Sequence, residues 1–176
     1  MINAIIRKHG SADRIHIELA RDVAKSFKER KRIEKAQGEF RTQKERAREH
    51  FTSLYGQIPN GHDLLKFRLH KAQSGRCPYS GSAIDSSRLV EPGYVDIDHI
   101  LPWSRTYDDT MNNKVLVLTA ENRQKGNRTP FEYIAKENPE SINWQRFKAG
   151  VAHYPHAKRW RLLKENLDDR EMEGFR

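Results

Sequence analysis

Val95-Asp96-Ile97-Asp98-His99-Ile100-Leu101-Pro102 is the stretch on which the reading of this chain turns. An acid and a histidine stand side by side at the end of an apolar, alternating run, and a proline stops the strand soon after. Fourteen residues beyond His99, Asn113 opens a second strand-like run, Lys114-Val115-Leu116-Val117-Leu118. Nine residues further on, Asn122 lies in the helix-like Thr119-Ala120-Glu121-Asn122-Arg123-Gln124-Lys125. The order strand, loop, strand, short helix predicts a ββα unit. It sets an acid and an imidazole on one strand opposite an amide on a helix.

Those residue types suit phosphodiester hydrolysis. The reaction needs a water deprotonated near neutral pH and charge relief on the phosphate and the leaving oxygen. An imidazole titrates near neutrality and fits the base role. A carboxylate and an amide oxygen are hard donors that favour Mg²⁺ or Mn²⁺ over Zn²⁺, and two protein donors leave positions for water and phosphate. Adjacent strand residues point to opposite faces, so Asp98 and His99 can converge only where the strand ends. A structural reading stands beside this one: an Asp-His pair at a strand end can be a mere surface or capping feature. Asn112-Asn113 is also a turn signal. Both readings give Asn113 the same task, tying down the loop that positions His99.

These pieces resemble the HNH nuclease domain of the type II CRISPR RNA-guided DNA endonucleases, most closely the compact II-C subgroup, over about 63–129. The matching motifs begin with Gly75-Arg76-Cys77-Pro78-Tyr79-Ser80-Gly81 and Gly93-Tyr94-Val95-Asp96-Ile97-Asp98-His99. They continue through Leu101-Pro102-Trp103-Ser104-Arg105, Asp108-Asp109, and Asn112-Asn113-Lys114-Val115-Leu116-Val117-Leu118. Glu121-Asn122 and Lys125-Gly126-Asn127-Arg128-Thr129-Pro130 close the series. The resemblance implies an α+β, mostly helical fold with a ββα-metal nuclease core and flanking helices. It implies that Asp98 and Asn122 bind Mg²⁺, with Mn²⁺ able to substitute, that His99 is the general base, and that Asn113 fixes the loop. Many HNH nucleases carry His where Asn122 stands, and the weaker amide ligand implies loose metal binding that tightens on the substrate phosphate. Lys125 and Arg128 are candidates for clamping neighbouring phosphates, with solvated helix-end cations as the equal alternative. The implied reaction is magnesium-dependent cleavage of the DNA strand paired to the guide RNA, sequence choice lying in base pairing.

The resemblance extends to Arg14-Ile15-His16-Ile17-Glu18-Leu19-Ala20-Arg21, which alternates like a half-buried strand. It is similar to the second RuvC segment of the same enzymes, where the matching Glu18 is a metal ligand of the other nuclease site. The remaining RuvC carboxylates are not in the sequence. The chain therefore reads as a piece of a larger protein, with Met1 an introduced start and Glu18 a ligand only in the intact enzyme.

Composition agrees with a nucleic-acid partner. Lys plus Arg number 33 against 24 Asp plus Glu, a formal charge of +9, which is the electrostatic footprint of phosphate binding. A merely soluble basic domain has the same arithmetic. The 36% hydrophobic share predicts a small core. The single Cys77 excludes an internal disulfide and fits a reducing bacterial cytoplasm. With Ser80 where a Cys-x-x-Cys pair needs its second thiol, no structural zinc is expected. No apolar run reaches membrane-spanning length, and no signal-peptide pattern is present.

Along the chain we expect a RuvC-II-like segment at 1–20, a helical linker at 21–60, the HNH domain at 61–165 and a C-terminal linker at 166–176. Residues 3–8 read as the end of a helix stopped near Gly10. Residues 21–50 carry eleven Lys/Arg against six Asp/Glu, and their thin apolar stripe predicts a helix that solvates a connection rather than building a core. A basic arm along nucleic acid is its functional alternative. Further helices are expected from Asp63 as cap to Ser74, from Thr129-Pro130, from Ser141 as cap, and from Pro155 to Lys164. Trp103, Trp144 and Trp160 read as core or interface residues. The expected partners are target DNA and guide RNA in the intact enzyme, with a phage anti-CRISPR inhibitor protein as a further candidate, and the default state is a monomer. Two other readings stand beside this one: a stand-alone HNH nuclease, and a non-catalytic basic nucleic-acid-binding module.

Overall fold

The computed structural model describes residues 10, 26–136 and 138–167. The strand expected at 14–21 with Glu18, the helix end expected at 3–8, and residues 168–176 of the tail lie outside the described residues. The chain divides into two compact units, Met1–Thr42 and Gln43–Arg176. Helix α1 (Phe27–Tyr55) starts in the first, where the Ser26 hydroxyl accepts the Glu29 amide at 3.2 Å.

In the second unit the end of α1 corrects the linker expectation. Phe51 is fully buried, and its ring meets Phe67 edge-on with centroids 5.6 Å apart and Tyr55 at 4.4 Å. Ala47 and Tyr55 pack against the same core. The thin stripe of α1 is a working core face over its last turns, and the unit boundary falls within the helix rather than between residues 60 and 61. Helix α2 (Gly61–Ala72) is capped by Asn60, not by Asp63: the Asn60 Oδ1 accepts the His62 and Asp63 amides, each at 2.9 Å. Asp63 serves instead as the first-turn acid that complements the helix dipole. Leu64, Phe67 and Leu69 are the buried apolar positions of this helix. The helix stops at Ala72, and Gly75 follows at φ +68°, where an added Cβ would sit 3.2 Å from the His70 ring. Only glycine combines that backbone with that proximity.

Residues 76–84 double back through a bridge between Arg76 and Ala83, burying Cys77, Tyr79 and Ile84. Strands β1 (Val95–His99) and β2 (Lys114–Leu118) then pair antiparallel, with Val95 opposite Leu118 and His99 opposite Lys114. The connection holds a short helix α3 (Trp103–Thr106) and a 3₁₀ turn, Met111–Asn113. Helix α4 (Thr119–Lys125) follows β2 directly and ends at Gly126. This is the expected ββα unit, and with the helices around it the fold is α+β and mostly helical.

Val115, Leu116 and Val117 are all fully buried, so β2 is covered on both faces. Its outer edge would leave backbone groups unpaired in an apolar interior. Gln73 closes that edge: its amide donates to the Leu116 carbonyl at 2.8 Å and accepts the Leu116 N–H at 2.7 Å. One buried side chain thus does the work of a third strand.

The remaining elements are shorter than expected. Thr129 and Glu132 exchange side-chain and backbone hydrogen bonds (3.2 and 2.8 Å), a reciprocal cap, but they open a single π turn, Phe131–Ala135, ended by Lys136 at φ +51°. Ser141 caps α5 (Ile142–Gly150) as expected. Helix α6 (His156–Leu162) ends two residues before Lys164. Trp144 is fully buried, stacked on Phe147 and edge-on to Phe131, whereas Trp103 and Trp160 are exposed.

Candidate active site

Strand alternation puts Asp96 and Asp98 on one face of β1, and α4 crosses that face. Two residues of strand advance about 6.6 Å, and three residues of helix about 4.5 Å. The pair Asn122 and Lys125 on α4 can therefore address the pair Asp96 and Asp98. The Asn122 Nδ2 donates to Asp96 Oδ2 at 3.1 Å, and the Lys125 ammonium lies 3.0 Å from Asp98 Oδ2 and 3.3 Å from Oδ1. Lys125 also donates to the His99 carbonyl at 2.9 Å.

Asp98 is buried, and its Oδ2 accepts the Tyr79 hydroxyl at 2.6 Å. Burial, then the neighbouring Asp98 charge, pushes the Tyr79 phenol well above its ordinary value, which keeps it a donor. Burial pulls Lys125 below the ordinary lysine value, against the pull of Asp98. Oδ2 thus takes the two short contacts, and Oδ1 takes only the longer one from Lys125.

His99 turns its ring the other way. Its Nε2 lies 2.8 Å from Asp109 Oδ1, and the same oxygen is 2.8 Å from the Lys114 ammonium. The hydrogen bonds from Lys114 and His99 hold the Asp109 carboxyl below the usual range. Asn113, fully buried, ties the connecting loop: its Oδ1 accepts the Leu101 N–H at 2.9 Å, and its Nδ2 donates to the Leu101 and Asp108 carbonyls at 2.9 and 2.8 Å. These hydrogen bonds join the two ends of the connecting loop through one side chain.

The residues singled out in the sequence are therefore brought together in part. Asp98 and Asn122 share the β1–α4 seam, while the His99 imidazole faces the loop and only its backbone oxygen reaches that seam, through Lys125. Lys125, read as a phosphate clamp or equally as a solvated helix-end cation, is a buried counter-ion, 1% exposed. Arg128 stays at the surface, its guanidinium donating to the Gln124 and Lys125 carbonyls and lying 5.3 Å from the Tyr133 ring centre. Asp96, Tyr79 and Asp109 had no role in the sequence reading. Alternation with Asp98 could have flagged Asp96. Nothing in spacing points to Tyr79, which arrives from a separate hairpin.

Among the described residues, no three His, Cys, Asp or Glu side chains cluster as a ready metal cage. The seam does offer oxygen donors, from Asp98 and from Asn122, whose amide oxygen is turned away from Asp96 by the hydrogen bond its nitrogen makes. Such a set fits a hard divalent cation completed by water and phosphate.

Residues 77–131 match the family model described as HNH endonuclease. The chain is 39% identical over 162 residues to the CRISPR-associated endonuclease Cas9 of Campylobacter jejuni, covering 92% of this chain and 16% of that protein. It is 38% identical over 180 residues to Cas9 of Staphylococcus aureus, covering 99% of this chain and 17% of the relative. Among solved structures, Streptococcus thermophilus Cas9 in complex with the AGAA PAM superimposes with a TM-score of 0.74 at 31% identity, over 94% of this chain and 17% of that one. The chain thus spans about one sixth of the relatives it matches.

Proposed function

We propose that this HNH endonuclease domain, of the Cas9 type by its relatives, cuts the guide-paired strand of target DNA in an RNA-guided enzyme. The observation that supports the reading is the β1–α4 seam, where Asn122 and Lys125 of the helix lie against Asp96 and Asp98 of the strand, with His99 at the strand end. HNH nucleases are metal-dependent, and the oxygen donors here favour Mg²⁺, with Mn²⁺ as substitute. When bound, the cation supplies charge relief on the phosphate and on the leaving 3′ oxygen. Asp98 would hold it through Oδ1, with Asn122 giving its amide oxygen. Asp109 engages Nε2 of His99, so Nδ1 is the ring atom left to take a proton from water. The hydroxide so formed attacks the phosphorus in line, the P–O3′ bond opposite it breaks, and the 3′ oxygen leaves and takes a proton from solvent. Guide RNA and target DNA are the proposed partners, and a net charge of +9 supports them. An anti-CRISPR inhibitor, a monomeric state, a bacterial cytoplasmic setting and the II-C subgroup belong to the same proposal. No helix among the described residues is long and apolar enough to cross a membrane.

The test uses the full-length protein loaded with guide RNA and a target duplex labelled on each strand. Removing a positioned base costs roughly 10²–10⁴-fold. His99→Ala should therefore leave the guide-paired strand intact on the timescale in which the other strand is cut, and Asp98→Ala should do the same. Undiminished cutting of the guide-paired strand by either variant overturns the assignment. Efficient cutting of any free duplex by this chain alone would favour a stand-alone nuclease instead.

A further inference from the structure

Helix α6 lies beyond the residues that match the HNH family model, yet it sends one cation into the loop that carries the His99 partner and a second to the first residue of β2. Arg161 grips Asp108 Oδ2 through Nε and Nη2, each at 2.8 Å. Lys158 donates to the Lys114 carbonyl. Both acceptors sit next to the His99 contact. Asp108 precedes Asp109, which bonds the His99 ring, and Lys114 pairs with Asp109 by side chain and with His99 by strand register.

Asp108 is built into the loop from every side. It is 4% exposed, its Oδ1 accepts the Thr110 N–H at 2.9 Å, and its carbonyl accepts the Asn113 amide at 2.8 Å. Burial alone would raise its carboxyl, but the Thr110 and Arg161 hydrogen bonds hold it below the ordinary value, so it stays an anion for Arg161. Asn113 closes the two ends of the loop on each other and holds the Asp108 carbonyl, but it does not fix the Asp108 side chain. Arg161 does, because two nitrogens on one oxygen leave the Asp108 carboxylate little freedom.

We propose that Arg161 is a positioning residue for the nuclease reaction, acting through Asp108 and Asp109 to aim the His99 imidazole. The inference rests on His99 as the base. Through it α6, and whatever continues from its C-terminal end, has a mechanical hold on the catalytic loop without touching substrate. Asp98 and Asn122 lie on the far seam and are outside this network.

The experiment compares Arg161→Met, Arg161→Lys and Asp109→Ala, each alone, Arg161→Met with Asp109→Ala, and the Arg161→Met/Asp108→Asn pair, in the guide-loaded full-length protein. Misplacement of a catalytic group by about an ångström costs on the order of 10²-fold. Arg161→Met should slow single-turnover cutting of the guide-paired strand by about 10- to 100-fold, with Mn²⁺ affinity and substrate KM unchanged. Arg161→Lys should recover part of that loss. In an Asp109→Ala background the Arg161 substitution should cost nothing more, since the chain of contacts is already cut; a merely structural role would give losses that multiply. Because Arg161→Met strands a buried carboxylate, the pair that removes both charges keeps the test open where the single variant unfolds, and it too should cut slowly. Multiplying losses, a parallel fall in Mn²⁺ affinity, or parental rates in the paired variant each overturn the proposal. His99→Ala separates this from failure of the nuclease reading itself: if that variant cuts normally, the base assignment is what fails.

Discussion

Asp98 Oδ2 receives a phenol proton and an ammonium at once, at 2.6 and 3.0 Å. A buried carboxylate is stable only when paired and hydrogen-bonded, and Tyr79 with Lys125 meets that requirement from two different elements. Their geometry also fixes which oxygen is presented to the seam. Tyr79→Phe removes one hydrogen bond to a charged group, worth about 1.5–3 kcal/mol, and frees the carboxylate to rotate. Outer partners of metal ligands typically govern about 10–100-fold in affinity. We expect Tyr79→Phe to weaken Mn²⁺ binding within that span and to lower the thermal midpoint, read by titration and by a melting curve. Unchanged Mn²⁺ affinity would show that the phenol does not set the carboxylate.

At the scale of elements, α6 brings a cost as well as a grip. Burial, with Arg161 adding repulsion, lowers the Lys158 ammonium to about 8 from its ordinary 10.5. Below about 8 both folded and unfolded chains hold this proton, and the fold carries the whole desolvation cost. As pH rises from 8 towards 10.5 the folded side chain sheds the proton before the unfolded one does, and the cost is relieved. The parent should therefore gain stability relative to Lys158→Met across that window, checked by urea unfolding of both proteins at about pH 7 and pH 9.5. A gap that stays constant with pH would place the Lys158 ammonium in solvent instead. Neutral lysine still donates to the Lys114 carbonyl, so the hold on β2 survives the change.

For the whole molecule, the decisive packing is that of α1 on α2. Phe51, fully buried against Phe67 and Tyr55, makes the end of a highly charged helix part of the core of the second unit. Truncating a buried Phe to Ala costs about 3–5 kcal/mol, a large share of a domain's net stability. Phe51→Ala should lower the urea midpoint accordingly while leaving the Asp98 and Asn122 seam untouched, so that Mn²⁺ affinity below the melting transition stays at the parental value. A midpoint shift of only a few tenths of a kcal/mol would return α1 to the role of a solvated connector.

The order of residues alone settled the ββα unit, because strand alternation, the Asn112-Asn113 turn, and the passage from Leu118 into a helix are local signals written within a few residues of each other. It also suggested the chemistry, since a carboxylate, an imidazole and two amides at those offsets are the residue types that phosphodiester hydrolysis uses. Cap identity was harder: Asn60 and Asp63 are both good caps, and only the folded chain shows which one the first turn meets. What tertiary structure decided is every contact between residues distant in sequence. Tyr79 reaches Asp98 across nineteen positions, Gln73 reaches Leu116 across forty-three, and Arg161 reaches Asp108 across fifty-three. Lys125 looks like a solvated helix-end cation on paper and is buried in fact, because the side of a helix that faces a strand depends on how the two cross. Local periodicity fixes which residues share a face; it carries no record of what that face will meet.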